Sequence, residues 1–168
     1  MPQYLISSMQ FRPPKYLPTL TISSIDEARI VNKILKSVDI PYIEVTLRST
    51  VSIEAIEYIA DETNINLGIG TVLNTNQLLN LPIPKIKFVV SPGFNKDVAH
   101  FCNENNIEYI PGVETSTEIM KALNYGLDVL KFFPAELAGG IQKIKAFESI
   151  FPEVSFMCTG GINLENYK

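Results

Sequence analysis

The sequence predicts an α/β protein of (β/α)8 TIM-barrel type, truncated after its seventh strand. Three observations predict it. Short apolar runs alternate with amphipathic stretches along the chain, the pattern of parallel βα units. The residues that close those runs, Arg48, Thr71, Pro92, Pro111, Lys131 and Thr159, are mostly separated by about 20 to 25 residues, one strand, one helix and two loops of such a barrel. An open doubly wound sheet binds ligands only at its switch point, so polar and special residues at six strand ends favour the barrel, whose active face collects every strand C-terminus.

Residues 1–168 are read as one domain with an atypical N-terminal segment over 1–16, where Pro13 and Pro14 interrupt any helix. Leu17 to Ile22 reads as the first strand. A helix is predicted from Ile25 to Ser37, opened by Ser24 at capping-box spacing from Glu27. The second strand, Tyr42 to Leu47, precedes a helix from Ser52 to Glu62. The third, Ile65 to Gly70, precedes a short helix from Thr75 to Leu79. The fourth, Ile86 to Val90, leads to a helix from Lys96 to Asn105. The fifth, Ile107 to Ile110, leads to one from Ser116 to Asn124, which Thr115 and Glu118 mark as a capped start. The sixth, Val129 to Phe133, precedes a helix from Gly140 to Ile150. Val154 to Cys158 is the seventh. The chain then stops at Asn166-Tyr167-Lys168, where a seventh helix should open, so an eighth βα unit is expected to be absent and strands one and seven to be open edges.

Composition narrows the function classes. With 46% hydrophobic and 19% charged residues the chain can bury a sizeable core and is not expected to be disordered. Its net charge of −4 offers a phosphate backbone no continuous positive track, which excludes nucleic acid as an expected partner. Cys102 and Cys158 lie far apart without metal-ligand spacing, and His100 sits in a helical stretch, so reduced thiols and no metal site are expected. No basic n-region with an apolar core and no apolar run near about 18 residues is present, so neither export nor a membrane span is expected, and the protein is placed in the cytoplasm.

Lys131 stands alone in the apolar run Val129-Leu130-Lys131-Phe132-Phe133-Pro134. An ammonium among two phenylalanines and a leucine is poorly solvated; this favours the neutral amine, which can attack a carbonyl carbon. Lys131 therefore reads as a Schiff-base nucleophile. The competing reading is a side chain that snorkels its ammonium to the barrel mouth or pairs with a carboxylate.

In Tyr42-Ile43-Glu44-Val45-Thr46-Leu47-Arg48, period-two alternation sets Ile43, Val45 and Leu47 against Glu44, Thr46 and Arg48. The polar face points into the barrel. A buried carboxylate needs either a partner, here Arg48, or a role. A Schiff-base enzyme needs an acid/base to shuttle protons and a cation to hold a substrate carboxylate, and Glu44 and Arg48 are of those types.

The other strand ends add smaller signals. Thr71, after Gly68-Ile69-Gly70, offers a hydroxyl to a substrate carboxylate or keto oxygen, while the glycines fit close packing. Ser91-Pro92-Gly93 and Pro111-Gly112 read as turns. Cys158-Thr159-Gly160-Gly161 is open between a turn and an anion cradle made of backbone amides.

The runs EVTLR, GIGTVLN, SPG, IPGVETSTE, LKFFPAE and TGGIN, in this order and at these spacings, resemble the class I 2-keto-3-deoxy-6-phosphogluconate (KDPG) aldolase family, which also cleaves 4-hydroxy-2-oxoglutarate. The match runs from Leu17 to the end of the chain. It implies that Lys131 forms the Schiff base with the pyruvyl part of a keto-acid substrate, that Glu44 is the general acid/base, and that Arg48 and Thr71 hold the carboxylate. It further implies that Pro92, Phe133 and Thr159 line the pocket and that Gly160 and Gly161 approach the substrate phosphate. A homotrimer that needs no metal or cofactor and serves the Entner–Doudoroff route is implied as well.

Two departures accompany the resemblance. Some relatives carry a basic residue at the end of the first strand, where this chain has Thr21, and the segment 1–16 does not look like the usual first helix. The eighth βα unit, whose loop contributes to the family's phosphate site, is expected to be absent. Two rival readings follow: another phosphate-binding barrel enzyme, which would have no need of Lys131, and a truncated, catalytically impaired remnant or binding module.

Overall fold

A computed structural model describes residues 12–48, 53–61 and 65–167. Residues 1–11 of the atypical segment, Ser52 and Glu62 at the ends of the second predicted helix, and Lys168 lie outside the described residues.

The elements run β1 (Thr19–Leu20), α1 (Ile25–Ser37), β2 (Tyr42–Thr46), α2 (Ile53–Asp61), β3 (Asn66–Gly70), β4 (Ile86–Val90), α3 (Lys96–Glu104), β5 (Glu108–Ile110), β6 (Gly112–Val113), α4 (Ser116–Leu123), β7 (Val129–Phe132), α5 (Gly140–Ile150) and β8 (Ser155–Cys158). The strands form a five-stranded sheet, ordered β1-β2-β3-β4-β5, and a three-stranded sheet, ordered β6-β7-β8. Pairing is parallel from β1 to β4 and from β6 to β8. The alternation of strand and helix follows the predicted order, with local differences that include an added 3-10 turn, Ile83–Lys85, before β4. The first strand shortens to two residues. The short helix after the third strand is a 3-10 turn, Thr75–Gln77. The predicted fifth strand is followed, after Pro111, by β6: proline has no N–H to give a ladder, although the Pro111 carbonyl still accepts from Lys131 N at 2.9 Å.

Contacts divide the chain into two compact units. One comprises Pro13–Val90 and Asn95–Tyr109; the other comprises Ser91–Phe94 and the chain from Ile110 onward, with Arg12.

In the first unit Ile43, Val45, Leu67, Ile69 and Val89 are fully buried, and α1 packs on α2. β2 and β3 are in continuous register, Glu44 opposite Gly68 and Thr46 opposite Gly70. The two glycines leave room for neighbours. A Cβ on Gly68 would fall within the ring of Phe88, its register partner on β4, and a Cβ on Gly70 would fall on the Glu44 carboxylate. Helix α1 begins as its sequence suggests: Ser24 Oγ accepts from Glu27 N at 3.2 Å. The main partner of the Glu27 carboxylate is the residue before the cap. The carboxylate takes the amide and hydroxyl of Ser23, at 2.8 and 2.9 Å.

In the second unit β7 is central. Gly112 stands opposite Lys131 on one side and Met157 on the other. Phe132, fully buried, meets the rings of Phe147 and Phe156 with centroids 6.1 and 6.3 Å away, so α5 is seated on β7 and β8 by aromatic contacts. Helix α4 carries the complete capping box, Thr115 Oγ1 accepting from Glu118 N while Glu118 Oε2 accepts from Thr115 N. Burial alone would raise the Glu118 carboxyl, and the hydrogen bonds from Glu114 and Thr115, with Lys143 nearby, outweigh it and hold the group below its usual range.

The Gly68–Phe88 contact makes a stability test. Replacing a strand glycine gains about 0.5–1 kcal/mol of backbone entropy, whereas overpacking a closed core costs about 1–3 kcal/mol. Gly68→Ala is therefore expected to lower the unfolding free energy in urea, and Phe88→Leu in the same chain to recover part of the loss. Additive effects of the two changes would show that ring and glycine are not coupled.

Candidate active site

The first unit assembles a polar strip on β1 and β2. Glu44 is 1% exposed and Thr46 2% exposed, both on the β2 face opposite Ile43 and Val45. Thr19 lies opposite Glu44 in register, and its Oγ1 donates to Glu44 Oε2 at 3.3 Å. Thr21 Oγ1 and Thr46 Oγ1 are 2.7 Å apart. Gly70 borders the carboxylate from the β3 side. Arg48, predicted to share the inward face, lies two residues past the end of β2 and is exposed.

Thr71 follows β3 directly with φ of 61°, in the left-handed region. A β-branched residue is a genuine outlier there and costs on the order of 1–2 kcal/mol. The segment after it is tied down on several sides. Val72 N donates to Val90 O at 3.2 Å, Gln77 Oε1 accepts from Leu73 N at 2.6 Å, and Asn95 Nδ2 donates to Leu73 O at 2.9 Å. Such over-determination is what lets a strained residue persist.

The second unit holds the remaining predicted residues. Lys131 is 4% exposed, and its Nζ lies 4.9 Å from the centroid of the Phe133 ring, two residues along the chain and hence on the same side. Leu130 and Phe132 take the opposite side, so only one of the two flanking phenylalanines faces the amine. The Phe133–Pro134 bond is cis. Thr159 N donates to Phe132 O at 3.1 Å, and Ala135 N and Glu136 N donate to the Thr159 and Gly160 carbonyls at 2.8 and 3.0 Å. The TGG turn is thereby laced to the PAE segment. Gly160 and Gly161 have φ of 91° and 82°; a Cβ on Gly160 would come 3.2 Å from the Phe133 ring, and one on Gly161 2.5 Å from Glu136 Cβ. Both glycines are needed for the turn itself. Pro92 is half-buried, and its carbonyl abuts the bare Cα of Gly112.

Thus Glu44, Arg48 and Thr71 belong to one unit, and Lys131, Pro92, Phe133, Thr159, Gly160 and Gly161 to the other. Sequence reasoning passed over Thr19, whose signal was available: it alternates with Thr21 along the first strand as Glu44 does with Thr46 along the second.

Parallel strands alternating with helices give an α/β architecture of the TIM-barrel class, and comparison with known proteins places it further. The KDPG and KHG aldolase family description matches residues 8–168. The 2-dehydro-3-deoxy-phosphogluconate aldolase of Treponema pallidum is 39% identical over 153 residues, covering 90% of this chain and 73% of that protein. The KHG/KDPG aldolase of Escherichia coli K12 is 36% identical, with coverage of 90% and 72%. Among solved structures, the KDPG aldolase of Legionella pneumophila, with pyruvate captured as a covalent carbinolamine intermediate, superposes with a TM-score of 0.83 at 36% identity, over 90% of this chain and 74% of that one. The chain belongs to the KDPG and KHG aldolase family.

The thiols are poor rivals to Lys131 as nucleophiles. Burial, and secondly the Glu108 carboxylate, push Cys102 up to about 12. Partial burial of its sulfur and then Glu148 raise Cys158, although that residue is exposed. Iodoacetamide at pH 8 is expected to label Cys158 slowly and Cys102 only on unfolding; equal labelling of the two in the folded protein would contradict this. The unfolded thiol ionises near 9.0 and the folded one near 12, so the unfolded chain sheds its proton first. The stability that Cys102 contributes is thus complete below pH 9.0 and is lost as pH rises towards 12, a fall that Cys102→Ala should reduce.

Proposed function

We propose that this chain is a class I, Schiff-base aldolase that cleaves KDPG to pyruvate and glyceraldehyde 3-phosphate, and 4-hydroxy-2-oxoglutarate to pyruvate and glyoxylate. The observation that carries the reading is Lys131: an amine 4% exposed, in an apolar strand, against a phenylalanine face. Burial in an apolar strand works against the charged form of an amine, and the neutral form is the nucleophile. Kinship with an enzyme captured as its pyruvate carbinolamine supports the same chemistry.

In this mechanism Lys131 Nζ adds to the C2 keto carbon, and the keto oxygen takes up a proton. Glu44, acting through a water, moves the protons that let hydroxide leave as water, giving an iminium. The C4 hydroxyl then loses its proton, the C3–C4 bond breaks, and its electron pair passes into the iminium. The aldehyde departs and an enamine remains. Protonation at C3 and addition of water to C2 release pyruvate and restore the amine. Arg48, exposed at the end of β2, and the Thr71 hydroxyl hold the substrate carboxylate; Pro92, Phe133 and Thr159 line the pocket; Gly160 and Gly161 let the substrate phosphate approach the backbone.

The reading extends to a homotrimer in the cytoplasm, without metal or cofactor, feeding the Entner–Doudoroff route or related sugar-acid breakdown. Family resemblance supports the trimer. Among the described residues no helix is long and apolar enough to cross a membrane.

Borohydride reduction in the presence of pyruvate tests the chemistry. The expected product is a covalent adduct that maps to Lys131 and is missing in Lys131→Ala; an adduct elsewhere, or none, would overturn the Schiff-base assignment. Glu44→Gln is expected to keep the adduct and to lower turnover by about 10²- to 10⁴-fold. An unchanged rate would remove Glu44 from its role.

A further inference from the structure

We infer that Thr19 is a positioning residue for Glu44, an inference that rests on the acid/base role proposed above. β1 is only two residues long and both are exposed, so packing gives no reason for a hydroxyl at position 19. Yet Thr19 stands opposite Glu44 in parallel register, and its Oγ1 lies 3.3 Å from Glu44 Oε2, sharing its proton with the Leu17 carbonyl at 3.4 Å. Two residues on, Thr21 meets Thr46 hydroxyl to hydroxyl at 2.7 Å. Thr19 on the short strand and Thr21 just past it thus both turn their hydroxyls to the polar face of β2.

A carboxylate on a glutamate has a broad, soft terminal torsion, so burial alone does not fix its plane. A proton carrier that serves several successive steps must keep that plane. Here the carboxylate lies between the Thr19 hydroxyl on the β1 side and the bare Cα of Gly70 on the β3 side. The hydroxyl engages one oxygen, and the glycine provides the space that any side chain would take from the other. Thr19 touches no reacting atom in this scheme. It acts through Glu44.

The test is exchange of the pyruvate methyl protons in D₂O, followed by NMR, a partial reaction that needs the Schiff base and the acid/base but no aldehyde. Thr19→Val keeps shape and strand propensity while deleting the donor. Its kcat for exchange is expected to fall about 10- to 150-fold, the scale of one lost hydrogen bond to a charged group. KM for pyruvate should stay within about twofold, as should the amount of borohydride-trapped Lys131, and Thr19→Ser should restore the rate. Thermal unfolding of each variant accompanies the kinetics. A Thr19→Val enzyme that exchanges at the parent rate overturns this inference alone. So does a loss that serine does not rescue, or one accompanied by a large fall in melting temperature. A parent protein that neither traps nor exchanges pyruvate overturns the proposed function, and this inference with it.

Discussion

A carboxylate or an ammonium costs several kcal/mol to take out of water unless its surroundings replace what the water gave, and this chain does so at Glu44 and at Lys131, at 1% and 4% exposure. Much of the local sequence is arranged around that cost. Beside Glu44 the neighbouring strands contribute a hydroxyl at Thr19 and no side chain at all at Gly70. Beside Lys131, Phe133 provides a ring face, and Gly112, its register partner on β6, adds no side chain of its own. The hydrophobic positions of β2 and β7 could be filled by many residues of similar volume. Positions 70 and 112 admit no side chain without displacement, because a Cβ there would fall on the Glu44 carboxylate or on the Pro92 carbonyl.

The elements whose causes are local were legible from the sequence. Ser24 and Thr115 cap the helices they precede, and α1 and α5 keep their predicted bounds, because the capping and the apolar period are written within one segment. Causes that lie on another strand were not legible in the same way. Gly68 reads as a glycine for close packing, but its neighbour is not known until the Phe88 ring of β4 is set opposite it, and Thr19 reads as an ordinary strand residue until register places Glu44 beside it. Alternation correctly separates Glu44 and Thr46 from Ile43 and Val45, but it presumes that the strand continues. β2 ends at Thr46, and the rule therefore loses its hold on Arg48, which is exposed. Pro111 shows the complementary limit: a proline signals that something ends, whereas the structure gives it a strand on either side and keeps its carbonyl in a strand hydrogen bond with Lys131.

Lys131 as a nucleophile was the reading of one residue in its neighbours' company, and burial strengthens it while also removing part of its original basis. Phe132 faces away from the amine, into the α5 aromatic cluster, so the apolar run around the lysine is not a uniform jacket. One face of β7 builds the core and the other carries Lys131, as strand geometry demands. The apolar character of Phe132 is therefore a statement about stability, and that of Phe133 a statement about the amine.

Among the described residues with positive φ, Asp39 and Asn106 follow helices, whereas three others lie just past strand C-termini. Thr71, Gly160 and Gly161 all have positive φ, with Thr71 the costly one because its Cβ is branched. A strained residue cannot hold itself in place. It needs hydrogen bonds made by residues that are not strained, which here come from Gln77 and Asn95 for the segment after Thr71, and from Ala135 and Glu136 for the TGG turn. The strands and their buried side chains supply the stability, and the loops at the strand ends consume part of it. At positions 160 and 161 the turn itself sets the residue type, since positive φ and the closeness of Phe133 and Glu136 leave room for glycine alone.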